Sequence, residues 1–168
     1  MRLKEIQDIF HAELDAIFGF NEVDSFFYIL IEHYFKLPRF QLVIQPDYTI
    51  TEKEQNSLLK ALAALKEEQP IQYIIGETEF YGLPFKVNKH VLIPRPETEE
   101  LVDWVIKDIE KVSLTDKTIN ILDIGTGSGC IAISLAKHIK NACVYAVDVS
   151  AEALTVAKQN SGQNEVNL

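Results

Sequence analysis

Asp123-Ile124-Gly125-Thr126-Gly127-Ser128-Gly129 is the stretch on which the reading of this 168-residue chain turns. Ahead of it runs a short apolar segment of strand length, Ile119 to Ile124. Behind it, Cys130 to Ile139 is apolar at helical length. Glycines at alternate positions let the backbone turn tightly between the two and let a ligand approach without meeting a Cβ. A second apolar strand, Ala142 to Val147, ends in Asp148. A second helix follows from Ala151 to Asn160, with Ala153, Val156 and Ala157 on its apolar side. Strand, helix, strand, helix in this order predicts the opening of a parallel α/β sheet. Asp148 lies 23 residues past Gly125, at a strand end where a carboxylate accepts both hydroxyls of a ribose.

Two ligand classes use such a loop. Dinucleotides favour G-x-G-x-x-G/A, with the pyrophosphate on the helix N-terminus. Here the spacing is G-x-G-x-G and the sixth position is Cys130. That spacing, with Asp123 two residues before the first glycine, resembles the first motif of S-adenosylmethionine methyltransferases. Their cofactor has no phosphate, and its charged amino-acid end meets loop amides and the nearby carboxylate. The expected cofactor is therefore S-adenosyl-L-methionine, held by Asp123, Gly125, Thr126, Gly127, Ser128, Gly129 and Asp148. The competing readings are a dinucleotide, or a tight turn that binds nothing.

Upstream, the pattern changes at Gly76. Glu79-Phe80-Tyr81-Gly82-Leu83-Pro84-Phe85-Lys86-Val87 reads as a β-hairpin around a Gly-Leu-Pro turn. In Val91-Leu92-Ile93-Pro94-Arg95-Pro96-Glu97-Thr98-Glu99-Glu100 two prolines hold the chain extended. Pro96 then suits a first helical turn rich in acids, and Leu101, Val102, Val105, Ile106 and Ile109 form the buried face.

Residues 1–75 read as four or five short helices. Leu3, Ile6, Phe10, Leu14 and Ile17 recur at helical spacing before Gly19. Asn21 or Asp24 is the expected cap of a second helix carrying Phe26, Phe27, Leu30, Tyr34 and Phe35, which Pro38 ends. Thr51 and Glu54 have the form of a capping box opening a helix with Leu58, Leu59, Leu62 and Leu65. Pro70 precedes a short helix that Gly76 closes. His11 and His33 are isolated and read as packing or surface residues, and no metal site is expected.

Composition bounds the function. With 47% hydrophobic and 24% charged residues, the chain reads as globular. No apolar run approaches the roughly 20 residues of a membrane span, and the start is not that of a signal peptide. Two cysteines, Cys130 and Cys143, make no disulfide framework, which suits the cytoplasm. A net charge of −9 without clustered Lys or Arg argues against direct nucleic-acid binding.

Taken with the glycine loop, Pro70-Ile71-Gln72-Tyr73-Ile74-Ile75-Gly76, Glu79-Phe80-Tyr81-Gly82 and Leu92-Ile93-Pro94-Arg95-Pro96-Glu97-Thr98-Glu99 resemble the HemK/PrmC family. The resemblance covers about residues 1–160 and is specific from Pro70 onward. It implies methylation of the glutamine side-chain amide in the Gly-Gly-Gln motif of peptide chain release factors, which are then the protein partners. It also implies a fold in three parts: a helical substrate-docking domain at 1–75, a β-hairpin linker at 76–93, and the incomplete start of a Rossmann-like methyltransferase domain at 94–168. Arg95, Pro96 and Thr98 lie in a family motif near the cofactor pocket, although a rigid connector accounts for the same residues. The related family that methylates a glutamine in a large-subunit ribosomal protein lacks the Pro-Glu-Thr-Glu found here at 96–99. A nucleic-acid amino-group methyltransferase and a non-catalytic binding module are the remaining alternatives. The family's catalytic Asn-Pro-Pro-Tyr does not occur in these 168 residues, so no catalytic residue is assigned. The chain by itself is expected to be inactive and to bind cofactor weakly.

Overall fold

The structure, a computed structural model, describes residues 1–111 and 118–168. Residues 112–117, which fall within the expected domain 94–168, lie outside the described residues. The chain divides into two compact units, Met1–Ile75 and Gly76–Leu168.

The first unit is helical: α1 (Leu3–Phe18), α2 (Phe20–Phe35), α3 (Gln41–Ile44), α4 (Glu52–Lys66) and α5 (Ile71–Ile75). Leu3, Ile6, Phe10 and Leu14 of α1 are buried against Val23, Phe27, Leu30 and Ile31 of α2 and Leu58, Ala61, Leu62 and Leu65 of α4. The rings of Phe10 and Phe27 meet edge to face at 5.4 Å between centroids, a favoured aromatic geometry. Ile17, expected inside, is half exposed, because the apolar stripe has rotated away from the core by the last turn of α1. Neither Asn21 nor Asp24 caps α2. Gly19, at φ 82°, ends α1 and begins α2 within one residue. Asp24 instead accepts from Gln7 (2.8 Å) and Arg39 (3.2 Å). His11 lies between Asp15, 2.8 Å from its Nδ1, and Asp24, with its ring stacked on Phe20. It is a packing residue that bridges two helices.

The capping box forms as the sequence predicts. The Glu54 amide donates to the Thr51 hydroxyl, and the Thr51 amide donates to the Glu54 carboxylate at 2.7 Å. The Thr51 amide and, at 2.8 Å, the Thr51 hydroxyl both donate to the Glu54 carboxyl and hold it below its ordinary pKa. Thr51→Ala should cost the helical unit about 1 kcal/mol, and Thr51→Ser much less. Thermal denaturation of the two variants checks this, and equal melting temperatures would show that the cap is not what holds the start of α4.

The second unit begins with the antiparallel hairpin β1 (Glu77–Phe80) and β2 (Leu83–Lys86). The turn is not Gly-Leu-Pro. Phe80 pairs with Leu83, so Tyr81-Gly82 makes a two-residue turn and Pro84 already lies in β2. Both turn residues have positive φ, 52° and 69°, which matches the twist of a hairpin. The left-handed conformation is costly for Tyr81, and its amide is held by the Glu99 carboxylate at 2.9 Å. Phe80 and Phe85 are fully buried with Val102, Ile133, Leu135 and Ile139. The hairpin is thus packed into the core of the second unit.

Helix α6 (Glu97–Lys111) buries Val102 and partly buries Val105, Ile106 and Ile109, while Leu101 stays exposed. There follow β3 (Ile119–Ile124), α7 (Cys130–His138), β4 (Ala142–Val147) and α8 (Ala151–Gln163). β3 and β4 pair in parallel, Ile119 with Ala142 through Ile124 with Val147. A parallel pair needs a crossover, and α7 supplies it. Leu122, Ile124, Tyr145 and Val147, on one face of this sheet, are 57%, 78%, 52% and 44% exposed. That face has no layer against it among the described residues. Parallel sheets are normally covered on both sides.

Candidate cofactor-binding site

The parallel register sets Ile124 beside Val147. The glycine loop therefore leaves β3 next to the end of β4, where Asp148 stands. The amides of Gly125 and Thr126 both donate to the Val147 carbonyl, at 2.8 and 3.0 Å. The Gly127 amide donates to Asp148 Oδ2 at 2.8 Å, and that of Gly129 to the Thr126 carbonyl at 2.8 Å. The Thr126 hydroxyl donates to Asp123 Oδ2 at 2.7 Å. Two carboxylates, one at each strand end, thus flank the loop and are bonded to it.

The sequence reading assigned the loop amides to the ligand's amino-acid end. In the structure four of them are engaged within the protein. The amides left for an anion are that of Ser128 and those of the first turn of α7, whose N-cap, Gly129, provides no side chain to cap them. A helix N-terminus attracts negative charge.

The glycines do different work. At Gly125 and Gly127 φ is positive, 78° and 54°, and a Cβ would meet nothing within 4 Å. These positions border open space. At Gly129, φ 83°, a Cβ would lie 2.9 Å from Ile133 Cδ1 and 3.3 Å from the Ala157 Cβ. Here the missing side chain lets α7 and α8 pack. Thr126 and Ser128 are buried in the loop.

Asp148 also starts α8. Its Oδ1 accepts from the Ser150 amide at 2.9 Å, and Ser150 in turn caps α8 by accepting from the Ala153 amide at 3.0 Å. Hydrogen bonds from the Ser150 and Gly127 amides hold the Asp148 carboxyl below its ordinary pKa. It is an acceptor-only group at neutral pH, with lone pairs to spare for hydroxyl donors. Burial pushes the Cys130 thiol up.

Arg95, Pro96 and Thr98 stand at the start of α6, with Arg95 and Pro96 exposed and the Thr98 amide bonded to the Arg95 carbonyl. Among the described residues no hydrogen bond ties their side chains to the glycine loop. The same motif does have an anchoring member that the sequence did not reveal, Glu99 on the hairpin turn. Among the described residues no group of three or more His, Cys, Asp or Glu side chains is placed to hold a metal, and no helix is long and apolar enough to cross a membrane.

A strand, a glycine loop, a helix and a second strand ending in a carboxylate make up a parallel β-α-β unit of the α/β class. Two family models match the chain. Residues 12–76 match the PrmC N-terminal domain, and residues 100–168 match ribosomal protein L11 methyltransferase (PrmA). The chain is 51% identical over all its 168 residues to a release factor glutamine methyltransferase of Flavobacterium psychrophilum, covering 59% of that protein. It is 50% identical over 119 residues, 71% of the chain, to one of Lactococcus lactis, covering 42% of it. It is 44% identical over 133 residues, 79% of the chain, to one of Bacillus cereus, covering 47% of it. The chain is thus similar along its whole length to release factor glutamine methyltransferases, with a PrmC N-terminal domain match at its start, and it spans about half the length of these relatives.

Proposed function

We propose that the protein containing these 168 residues is an S-adenosylmethionine-dependent methyltransferase that modifies the glutamine side-chain amide in the Gly-Gly-Gln motif of peptide chain release factors. The observation that carries this reading is 51% identity, along the entire chain, to a protein named for that activity. The geometry supports it: a glycine loop open at Gly125 and Gly127, bordered by two carboxylates and an uncapped helix start.

Those residues suit the cofactor group by group. Asp148 accepts the ribose hydroxyls. Asp123 faces the ammonium, and the first turn of α7 the carboxylate, of the methionine end. Thr126 and Ser128 shape the loop, while Gly125, Gly127 and Gly129 keep it narrow. When bound, the cofactor supplies a methyl group already activated by its sulfonium. The chain's part is then to position and to exclude water, not to provide a strong base. Arg95, Pro96 and Thr98 border the pocket, and the second unit is the start of a Rossmann-like methyltransferase domain. The helical unit, 1–75, docks the substrate protein. Its exposed Phe40, Val43 and Ile44 are apolar side chains in want of a partner surface. The partner is a release factor, neither nucleic acid nor membrane, and the compartment is the cytoplasm.

A ribosomal protein is the second candidate substrate, favoured by the match of residues 100–168 to a ribosomal protein methyltransferase. Pro96-Glu97-Thr98-Glu99 favours the release factor. Incubating the protein with labelled cofactor and an equimolar mixture of release factor and ribosomal proteins, followed by peptide mass spectrometry, separates the two. The expected result is a gain of one methyl group, about 14 Da, on the Gly-Gly-Gln peptide; label confined to a ribosomal protein would replace this reading with the second.

A further inference from the structure

Asn160, on α8, is fully buried and lies 74 residues from one of its hydrogen-bond partners and 32 from another. Its Nδ2 donates to the Ser128 carbonyl at 2.9 Å and to the Lys86 carbonyl at 3.0 Å. Its Oδ1 accepts from the Lys86 amide at 2.7 Å. One carboxamide thus ties the end of the hairpin to the middle of the glycine loop. The Ser128 carbonyl it holds stands between Gly127, whose amide reaches Asp148, and Gly129, the left-handed start of α7. The Ser128 hydroxyl is buried without a conventional partner among the described residues, and the Cys130 thiol lies near it. The loop's own side chain does not fix this peptide.

Only a carboxamide provides donors and an acceptor on one short planar end. An aspartate would keep the acceptor for the Lys86 amide but turn a bare oxygen on the Ser128 and Lys86 carbonyls. An alanine would remove the partner of three peptide groups. The Ser128 carbonyl is in a buried bond and the two groups of Lys86 are in part-buried ones, so the loss is costly for the first. One turn further along α8, Asn164 donates from Nδ2 to the Pro84 carbonyl at 2.9 Å. It braces the same hairpin without touching the loop.

We propose that Asn160 is a positioning residue for the cofactor site, setting the Ser128 peptide and so the orientation of the Gly127 amide toward Asp148. This inference rests on the glycine loop being the cofactor loop. The test measures cofactor dissociation constants by calorimetry, on the full-length protein that contains these residues, for wild type, Asn160→Ala, Asn160→Asp and Asn164→Ala. Amide hydrogen exchange, without cofactor, is followed in peptides covering 123–131 and 77–87. Asn160→Ala should raise the dissociation constant about tenfold and speed exchange in 123–131. Asn164→Ala should speed exchange in 77–87 only and leave affinity within about twofold. Asn160→Asp, isosteric with the native residue, gives the same comparison where the alanine variant does not fold. Equal weakening by Asn164→Ala would show general destabilisation and overturn the proposal. Wild-type binding with Asn160 variants unchanged overturns it alone. No binding by the wild type overturns it together with the cofactor reading.

Discussion

Gly129→Ala should destabilise the second unit by about 2–5 kcal/mol, more than the same change at Gly127. Two effects add at Gly129. A left-handed φ of 83° costs an L-residue about 1–2 kcal/mol. The new Cβ would press within 2.9 Å of Ile133 Cδ1 and 3.3 Å of Ala157, and overpacking costs about 1–3 kcal/mol. Ile133 is itself fully buried, so a shift of its terminal methyl presses on packed neighbours. Gly127 has a positive φ but open space, so Gly127→Ala carries only the conformational part, about 1–2 kcal/mol. Urea denaturation of the two variants decides it. Equal stabilities would mean that α7 and α8 separate readily, and that the third glycine of the loop is a backbone requirement alone.

Asp148→Ala should raise the dissociation constant for S-adenosylmethionine about 10- to 100-fold, the range for removing an acceptor from two hydroxyl donors. It should also loosen the protein without ligand. The sequence alone suggests a strand-end carboxylate that affects only binding, whereas the structure ties it to the Gly127 and Ser150 amides. Those bonds, Ser150 first, lower its pKa from 3.8. A depressed carboxyl pKa stabilises the fold at pH values above the unfolded-state value, and the contribution is lost as pH falls through the folded-state value. The stability difference between wild type and Asp148→Ala should therefore be constant from about pH 5 to 8 and shrink below about pH 4. A difference that grows on acidification would contradict the bonding described, and calorimetry showing unchanged affinity would remove Asp148 from the ribose site.

Much of the local structure was legible because its causes are local. The Thr51 capping box lies within three residues of sequence. The stripe from Leu3 to Leu14 repeats at helical spacing and is buried. The strand, loop and helix around Gly125 follow from an apolar run broken by glycines. Two local features differ from the sequence expectation. Ser150 caps α8. The hairpin turn falls one residue earlier than expected, because Gly-Leu-Pro carries the usual turn residues while a tyrosine at positive φ does not.

Sequence by itself determined the order of elements, the glycine loop with its two flanking acids, and the family resemblance. Each depends on residue type at short spacing. Only the tertiary structure decided which amides the loop has left to offer, since three of the four engaged ones are held by bonds that pairing of β3 with β4 brings about. It alone decided that Gly129 serves packing, because Ala157 comes from another helix. It alone gave Glu99 to the Tyr81 turn and Asn160 to Ser128 and Lys86. A hydrogen bond needs its partners within about 3 Å. For residues 18, 32 and 74 positions apart, that proximity is created by burying the apolar faces of α6, α7, α8 and the hairpin together, and no residue carries it alone.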